Sequence, residues 1–376
     1  MTNIQNPFLT YGYAGAAYFC DRIAETERLT TLLINGNHVA LMSPRRMGKT
    51  GLLNHCFAQK SIQEQYYTFI IDIYATRSLA EFTYVLGKGI LNVLKSKERK
   101  VWEKFLQIVG SFRTGVTLDE YGKPSWNIEL GDIKTPIVTL DEIFEYLNSA
   151  DKPCLVAIDE FQSIVDYEEK TVEATLRTYI QQCNNARFVF SGSKRTMMGE
   201  IFSSPARPFY QSATAMSLPP VPVDAYVSFI ENHFGNGGRR INKDVITQAY
   251  YRFDGTTWYV QKIANELYSS TRAGECCEID ALDPAISRIV RENEDTYKEI
   301  LYRLTTKQKA VLVAINKAEK GAQVTSSAFI KSNSLPSASS VQKALAALME
   351  KEIVTCSLGT YSVYDYFFSI WLKVNM

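Results

Sequence analysis

The sequence lacks the features of a membrane-inserted, secreted or metal-centred protein. Only 3 of its 376 residues are histidine, and they are widely spaced, so they offer no metal-binding constellation. The 7 cysteines are scattered, and the adjacent pair Cys276-Cys277 suits neither zinc spacing nor an easy disulfide. No apolar run approaches the length of a membrane span, and the first residues lack the basic start and apolar core of a signal peptide. These absences predict free thiols in a cytoplasmic protein with no membrane partner.

An excess of charge of one sign is also missing. The 41 Lys and Arg residues balance 40 Asp and Glu residues, for a formal net charge of +1. Overall charge therefore argues neither for nor against a nucleic-acid partner. The length exceeds that of one ordinary domain, and we expect two or three.

Residues 41–50 read Leu-Met-Ser-Pro-Arg-Arg-Met-Gly-Lys-Thr, a phosphate-binding loop (P-loop) pattern in which Ser43 replaces the first glycine. In such a loop Gly48 allows a tight turn, Lys49 reaches the β- and γ-phosphates, and the Thr50 hydroxyl is a ligand of Mg²⁺. The flanking residues have the patterns of a buried strand and a helix, although a chance loop between two such elements remains open on this pattern alone. The residues expected to contact nucleotide are Ser43, Pro44, Arg45, Arg46, Met47, Gly48, Lys49, Thr50 and Gly51.

A second motif lies at the end of an apolar run. Residues 153–158 have the length of a central strand and are followed by Asp159-Glu160. Asp159 is predicted to hold Mg²⁺, often through water, and Glu160 to polarise the attacking water. Two acids at a strand end are also typical of a solvated edge, but Lys49 and Thr50 upstream favour a site of NTP hydrolysis.

Two further apolar strands end in polar residues. Residues 186–190 are followed by Ser191, Ser193 and Arg195. We predict that one of the serines orients the lytic water or contacts the γ-phosphate. Arg195 is predicted to interact electrostatically with the phosphates. An ordinary strand-to-helix turn is an equal alternative for each. Residues 67–73 form the other strand, and Asp72 lies near its end. We interpret Asp72 as an acid that simply ends the strand; the alternative is that it supports magnesium indirectly.

Together the motifs resemble those of archaeal-type ATPases of the AAA+ superfamily, close to STAND signalling ATPases and more distantly to origin-recognition ATPases. The resemblance implies ATP and Mg²⁺ as ligands. The family has an upstream motif that begins with Gly-Arg and supports the nucleotide. Here Asp21-Arg22 stands in place of that Gly-Arg pair, and Glu25 and Leu29 match the motif at the same spacing. Arg22 is therefore included among the nucleotide-binding candidates.

The resemblance covers nearly the whole chain and implies its architecture. We expect an α/β fold in which a P-loop NTPase parallel sheet has helices on both faces (residues 1–217). A small helical lid (218–299) and a winged-helix domain (300–376) would follow. Residues 95–139 look like an insertion in the form of a loop or a hairpin, and residues 160–183 like one helix. Arg207 lies where AAA+ proteins usually place a trans-acting arginine; an intramolecular anchor between two prolines is the favoured alternative.

Helical periodicity in residues 223–234, 242–253 and 257–268 predicts the lid. Gly255 matches the family's lid motif, whereas Thr257 stands where proline is expected and no arginine begins this helix. The aromatic pair Trp258 and Tyr259 is better interpreted as core than as an adenine platform.

The last segment predicts a winged helix, with helices at residues 306–318, 325–331 and 337–351 and a hairpin at 353–364. From Arg303 onward there are nine Lys and Arg against four Asp and Glu. The expected recognition helix nevertheless offers Ser339, Ser340, Gln342 and Lys343 with no arginine, so at most weak, phosphate-led DNA contact is predicted. Packing against the ATPase or a protein partner is an equal alternative.

Three functions follow from these patterns. The first is an ATP-hydrolysing switch that acts through the lid and the winged helix. The second is a DNA-engaging ATPase whose winged helix grips duplex. The third is a nucleotide binder with negligible turnover, which Glu160 argues against. The sequence favours the first.

Overall fold

The computed structural model of the chain describes residues 5–97, 99–118, 124–126, 133, 135–318, 322–357 and 359–376. Its strands are β1 (Val39–Met42), β2 (Tyr67–Asp72), β3 (Val116–Leu118), β4 (Pro124–Trp126), β5 (Cys154–Asp159), β6 (Ala186–Gly192), β7 (Thr214–Ser217), β8 (Arg240–Ile241), β9 (Cys276–Cys277), β10 (Val354–Ser357) and β11 (Thr360–Val363). Its α-helices are α1 (Ile23–Ile34), α2 (Lys49–Phe57), α3 (Lys60–Gln65), α4 (Leu79–Leu94), α5 (Arg99–Ile108), α6 (Pro136–Ser149), α7 (Val172–Gln182), α8 (Arg195–Ser203), α9 (Val223–Asn236), α10 (Lys243–Arg252), α11 (Thr257–Ser270), α12 (Leu282–Glu292), α13 (Glu294–Tyr302), α14 (Thr306–Lys317), α15 (Ser327–Ser332), α16 (Ala338–Glu350) and α17 (Tyr366–Asn375). Short 3₁₀ helices occur at Ala16–Tyr18, Gly110–Gly115, Phe161–Asp166 and Ile279–Ala281.

The described residues divide into two compact units. The core unit comprises Pro7–Phe229 and Asp254–Gln261, and the C-terminal unit comprises residues 5–6, Ile230–Phe253 and Lys262–Met376. No helix in the described ranges combines the length and apolarity needed to cross a bilayer. All seven cysteines are free.

The core unit contains a five-stranded parallel sheet with the strand order β2-β5-β6-β1-β7. The predicted α/β class and parallel sheet are thus confirmed. Because all five strands point the same way, their carboxyl ends meet at one edge, where loops of α/β proteins form ligand sites. The order places β6 between β1, which leads into the P-loop, and β5, which ends in Asp159.

Both faces of the sheet are covered. Successive strand residues point to opposite faces, and in β5 Val156 and Ile158 join one hydrophobic cluster while Leu155 and Ala157 join the other. The first cluster contains side chains of α4 and α6, and the second contains side chains of α1 and α2. Burial on both faces explains why the predicted strands are continuous apolar runs rather than alternating ones.

The expectation of one helix over residues 160–183 is wrong. A 3₁₀ helix ends at Asp166, Tyr167 is extended with φ −73° and ψ 149°, and α7 begins at Val172. Tyr167 is 7% exposed and its hydroxyl forms a hydrogen bond with Thr76. Burial of this ring in the core outweighs the local preference for a continuous helix.

The region predicted as an insertion contains α5, a 3₁₀ helix, and the antiparallel pair β3–β4 before α6. The hairpin expectation therefore holds for the described strands. Residues 98, 119–123, 127–132 and 134 of this region lie outside the described residues.

The C-terminal unit contains three helices and an antiparallel hairpin (α14, α15, α16, β10 and β11), as the winged-helix pattern predicts. The terminal apolar segment forms α17 and packs against α12, α13 and α14. Its Phe368 ring lies 5.2 Å from that of Tyr297, and Ser369 Oγ donates to Asn316 Oδ1 at 2.6 Å. Helices α12 and α13 were not among the sequence-based expectations.

Candidate nucleotide site

A cavity of about 280 Å³ lies within the core unit, beside the P-loop. One part of its wall is the P-loop with Glu160, and the rest comes from residues 9–20, Val221 and the first turn of α11. All nine P-loop candidates except Ser43 and Pro44 line it, and so does Arg22. The cavity therefore gathers side chains from distant parts of the chain.

Two left-handed residues shape the P-loop. Arg46 has φ 67° and Gly48 has φ 91°, and α2 begins directly afterwards at Lys49. Ser43 is not among the residues with positive φ, so serine in place of glycine causes no left-handed strain there. Ser43 is 1% exposed, and its N–H donates to the carbonyl of Gly192 at 3.4 Å. The deviation from the motif is thus compatible with the loop.

The Lys49 side chain is buried at 6% exposure inside the loop. Its Nζ donates to the carbonyl oxygens of Ser43 at 3.1 Å and Pro44 at 3.3 Å. Burial lowers the pKa of Lys49, while the nearby carboxylates of Glu160 and Asp159 oppose that shift. An ammonium held this way can exchange its carbonyl partners for phosphate oxygens.

The first helical turn after the loop contacts the acid at the end of β5. Thr50 Oγ1 donates to Asp159 Oδ2 at 2.6 Å, and the N–H of Glu160 donates to Asp159 Oδ1 at 3.1 Å. A hydroxyl and a carboxylate are hard oxygen donors of the kind that Mg²⁺ prefers. No cluster of three or more His, Cys, Asp or Glu suited to a metal exists among the described residues. Magnesium needs none, since it usually takes one or two carboxylates with phosphate and water oxygens, so Thr50 and Asp159 fit it.

Asp72 ends the strand next to β5 and is the register partner of Asp159. Its Oδ1 accepts the N–H of Tyr74 at 2.8 Å, which forms a local turn. Burial raises the pKa of Asp72, with smaller contributions from Asp159 and Glu160. This geometry favours the strand-end interpretation made from the sequence.

Glu160 is held by two donors. Its backbone is left-handed with φ 55°. Ser193 Oγ donates to Glu160 Oε2 at 2.7 Å, and Gln162 Nε2 donates to the same oxygen. Gly192 is required nearby, because a Cβ atom there would lie 2.4 Å from Met198 Sδ and 2.5 Å from Gln162 Oε1. The sequence indicated Ser193 but not Gln162, whose approach depends on the 3₁₀ turn after Glu160.

The two other candidates after β6 behave differently. Ser191 is fully buried within β6, and its Oγ has no hydrogen-bond partner in the part of the chain that is described. It does not join the Glu160 contacts. Arg195 begins α8, but its side chain lies outside what the structure describes.

Arg22 contacts the protein rather than standing free in the cavity. It is 3% exposed, and its guanidinium donates to Glu25 at 2.7 Å, to the carbonyl of Pro219 at 2.6 Å and to the carbonyl of Met47 at 3.2 Å. Arg22 thus supports the P-loop backbone.

The first turn of α11 is attached to the P-loop. The N–H of Trp258 donates to the carbonyl of Arg46 at 3.0 Å, and Thr257 Oγ1 donates to that of Met47 at 3.1 Å. The Arg46 guanidinium lies 4.5 Å from the Trp258 ring centroid and 4.9 Å from that of Tyr259, and it donates to the Tyr259 hydroxyl. Tyr259 is 1% exposed, as its core interpretation requires, whereas Trp258 lines the cavity.

An aromatic segment before α1 forms a further wall that sequence reasoning missed. The Phe19 ring stacks on His55 at 4.4 Å, and the Tyr13 hydroxyl lies 2.9 Å from His55 Nδ1. Phe19 also lies close to Gly51. Burial lowers the pKa of His55. The several tyrosines between residues 11 and 18 are the sequence feature that could have predicted this aromatic wall.

Arg207 has intramolecular partners. Its guanidinium lies 2.5 Å from Glu173 Oε1 and 3.9 Å from Glu200 Oε1. Glu173 is 9% exposed. These contacts tie the loop after α8 to α7 and favour the anchor interpretation.

Comparison with known proteins identifies the fold. A family model described as "Probable winged helix domain" matches residues 295–374. The Walker-type ATPase PABY2304 of Pyrococcus abyssi is 17% identical over 98% of this chain and 99% of its own, with a TM-score of 0.66. The ORC2 protein of Aeropyrum pernix, in ADPNP–ADP complexes, is 14% identical over 94% of each chain, with a TM-score of 0.58. No curated protein sequence matches the chain. The chain thus has the fold of a Walker-type ATPase with a C-terminal winged helix, as its motifs indicate.

The Arg46 contacts generate the first prediction. Arg46→Ala should raise the amide exchange rate of Trp258 roughly threefold to tenfold, because a guanidinium over two aromatic rings contributes about 0.5–1.5 kcal/mol. Hydrogen exchange of the full-length protein measures it. Arg99→Ala, which removes an exposed arginine paired with Glu103 in α5, is the control and should leave Trp258 unaffected. An unchanged rate in Arg46→Ala would show that Arg46 does not hold α11.

Proposed function

We propose that the protein binds ATP with Mg²⁺ and hydrolyses it to ADP and phosphate. The observation that carries the proposal is the 2.6 Å contact between Thr50, at the start of α2, and Asp159, at the end of β5, with Lys49 and Glu160 beside it. Phosphate-binding and water-activating groups thereby face one cavity. The fold shared with Walker-type ATPases supports the same conclusion at the level of architecture.

The phosphates would bind at the N-terminus of α2, where backbone N–H groups and the helix dipole favour anions. Lys49 would contact the β- and γ-phosphates. The nucleoside would then extend along the wall formed by residues 9–20, which contributes Tyr11, Tyr18 and Phe19 to the cavity. The choice of ATP over GTP rests on the family resemblance.

In hydrolysis, Glu160 would accept a proton from water while the water oxygen forms a bond to the γ-phosphorus. The bond from that phosphorus to the bridging oxygen of the β-phosphate breaks, and its electron pair leaves with ADP. Magnesium, held by Thr50 and Asp159, would neutralise phosphate charge. Ser193 and Gln162 orient the Glu160 carboxylate.

The same geometry supports a nucleotide-dependent switch. The first turn of α11 belongs to the core unit and contacts the P-loop, and the helix continues from Lys262 in the C-terminal unit. A conformational change of the P-loop on nucleotide binding would alter the position of this helix. That change in α11 would then affect how the C-terminal unit binds a protein partner.

DNA binding is the second candidate, favoured by the winged-helix match. The exposed face of α16 carries Ser339, Gln342, Ala346 and Met349, with Lys343 as the helix's only basic residue. Such a face can make phosphate contacts but few base-specific ones. Any DNA contact would be weak.

Loss of the P-loop lysine is the first test. Lys49→Ala should weaken ATP binding roughly tenfold to a hundredfold, because a charge-assisted hydrogen bond contributes about 1.5–3 kcal/mol. Calorimetry measures the affinity. Lys60→Ala is the matched control, since Lys60 is an exposed lysine of α3. Equal ATP affinity in wild type and Lys49→Ala would refute the P-loop assignment.

Loss of the proposed base is the second test. Glu160→Gln should retain ATP binding but lower turnover by about two orders of magnitude or more, because water activation is lost. Asp159→Ala should instead weaken Mg²⁺-dependent binding. A steady-state phosphate-release assay checks turnover, and Glu145→Gln, an exposed acid on α6, is the control. Equal rates in wild type and Glu160→Gln would contradict the role of Glu160.

The winged helix is tested with duplex DNA. We expect ATP turnover of the full-length protein to be the same with and without duplex. Any affinity for duplex DNA should fall steeply as the salt concentration rises. It should depend on the lysines Lys307, Lys309, Lys343 and Lys351. Salt-dependent binding that those four lysines control, combined with faster turnover on duplex, would favour a DNA-engaging ATPase instead.

A further inference from the structure

We propose that Arg45 supplies, from within the same chain, positive charge that stabilises the γ-phosphoryl group during hydrolysis, and that Tyr74 positions it. This inference rests on the proposed ATPase activity. It gives Arg45 a role in the reaction beyond holding nucleotide.

Arg45 is a P-loop residue whose side chain contacts the segment that follows β2. It lines the cavity together with Lys49 and Glu160. Its guanidinium carbon lies 5.5 Å from the ring centroid of Tyr74. Tyr74 follows the end of β2, whose last residue is the register partner of Asp159. Arg45 is therefore placed at the carboxyl ends of β2 and β5, where the lytic water is proposed to lie.

The neighbouring arginine points to different partners. Arg46 contacts Trp258 and Tyr259 of α11, at the other side of the loop. Arg46 itself has a left-handed backbone. One arginine of the pair thus holds the loop to α11, and the other lies against Tyr74 and lines the cavity.

Arg45 and Lys49 are two cations that line the same cavity as Glu160. When a γ-phosphate enters, its charge would be shared between Lys49 and Arg45, and fixed cations there favour the transition state.

Tyr74 is suited to hold this arginine. Its N–H donates to Asp72, and its carbonyl accepts from Arg77 at 3.0 Å, so its backbone is fixed from both sides. The ring is 51% exposed, and a guanidinium over an aromatic face is a favourable arrangement. Tyr74 would act through Arg45 and is a positioning residue.

Arg207, the other arginine considered for a catalytic role, is not among the residues that line the cavity. Its guanidinium pairs with Glu173 and Glu200 of its own chain. A catalytic arginine supplied in cis makes turnover per molecule independent of protein concentration. The bond changes are those of hydrolysis: water oxygen to γ-phosphorus forms, γ-phosphorus to bridging oxygen breaks, and Arg45 gives up no proton.

The experiment uses the full-length protein. Arg45→Ala should lower turnover about a hundredfold or more, since cis or trans arginines contribute large factors to phosphoryl transfer. ATP affinity, measured calorimetrically in the Glu160→Gln background, should change less than about fivefold. Aluminium fluoride is an analogue of the transferring phosphoryl group and should increase the affinity of the wild type for ADP. Arg45→Ala should lose this increase in ADP affinity. Arg45→Lys should restore part of the increase.

Three further results complete the test. Tyr74→Ala should lower turnover about tenfold, and Tyr74→Phe should recover most of that loss because the ring remains. Arg207→Ala should keep turnover per molecule and its independence of concentration. Turnover of Arg45→Ala within threefold of wild type, or a loss fully explained by weaker ATP binding, would overturn the inference alone. A wild type no faster than Glu160→Gln would overturn the proposed ATPase activity and this inference with it.

Discussion

The burial of one ammonium group, that of Lys49, is the constraint on which the site depends. A charge removed from water is costly unless oxygen atoms surround it. Here the carbonyls of Ser43 and Pro44 supply two, and the carboxylates of Asp159 and Glu160 supply opposite charge nearby. The carbonyls reach Lys49 because the loop turns back through left-handed Arg46 and Gly48. The carboxylates reach it because β5 ends at the same edge of the sheet as β1.

The P-loop is also the point where distant segments join. Arg22 and Thr257 both donate to the carbonyl of Met47, and Trp258 donates to that of Arg46. A loop restrained from several directions cannot change shape without changing these partners. The proposed switch, in which phosphate binding alters the contacts of α11, rests on these restraints.

Fold likeness alone does not decide what such a protein does, since one architecture hosts many activities. The hydrolytic proposal depends on particular atoms: the Thr50–Asp159 contact and the two donors on Glu160. The winged helix illustrates the same point. Its fold is common among DNA-binding proteins, yet the exposed face of α16 is small, neutral and poor in arginine. Its surface chemistry offers few base-specific contacts to DNA.

The sequence by itself determined the P-loop, the Asp159-Glu160 pair, the parallel sheet and the winged helix, because these depend on local periodicity and on fixed spacings. It did not reveal the break after Asp166, since that break follows from burial of Tyr167 against Thr76, 91 positions away. Nor could it show that Gln162 turns back to Glu160, that Tyr13 and Phe19 pack on His55, or that Arg45 and Arg46 contact different aromatic side chains. Those contacts depend on long-range packing and on left-handed backbone positions. No motif in the sequence relates these particular segments to one another, so only the tertiary structure decided these contacts.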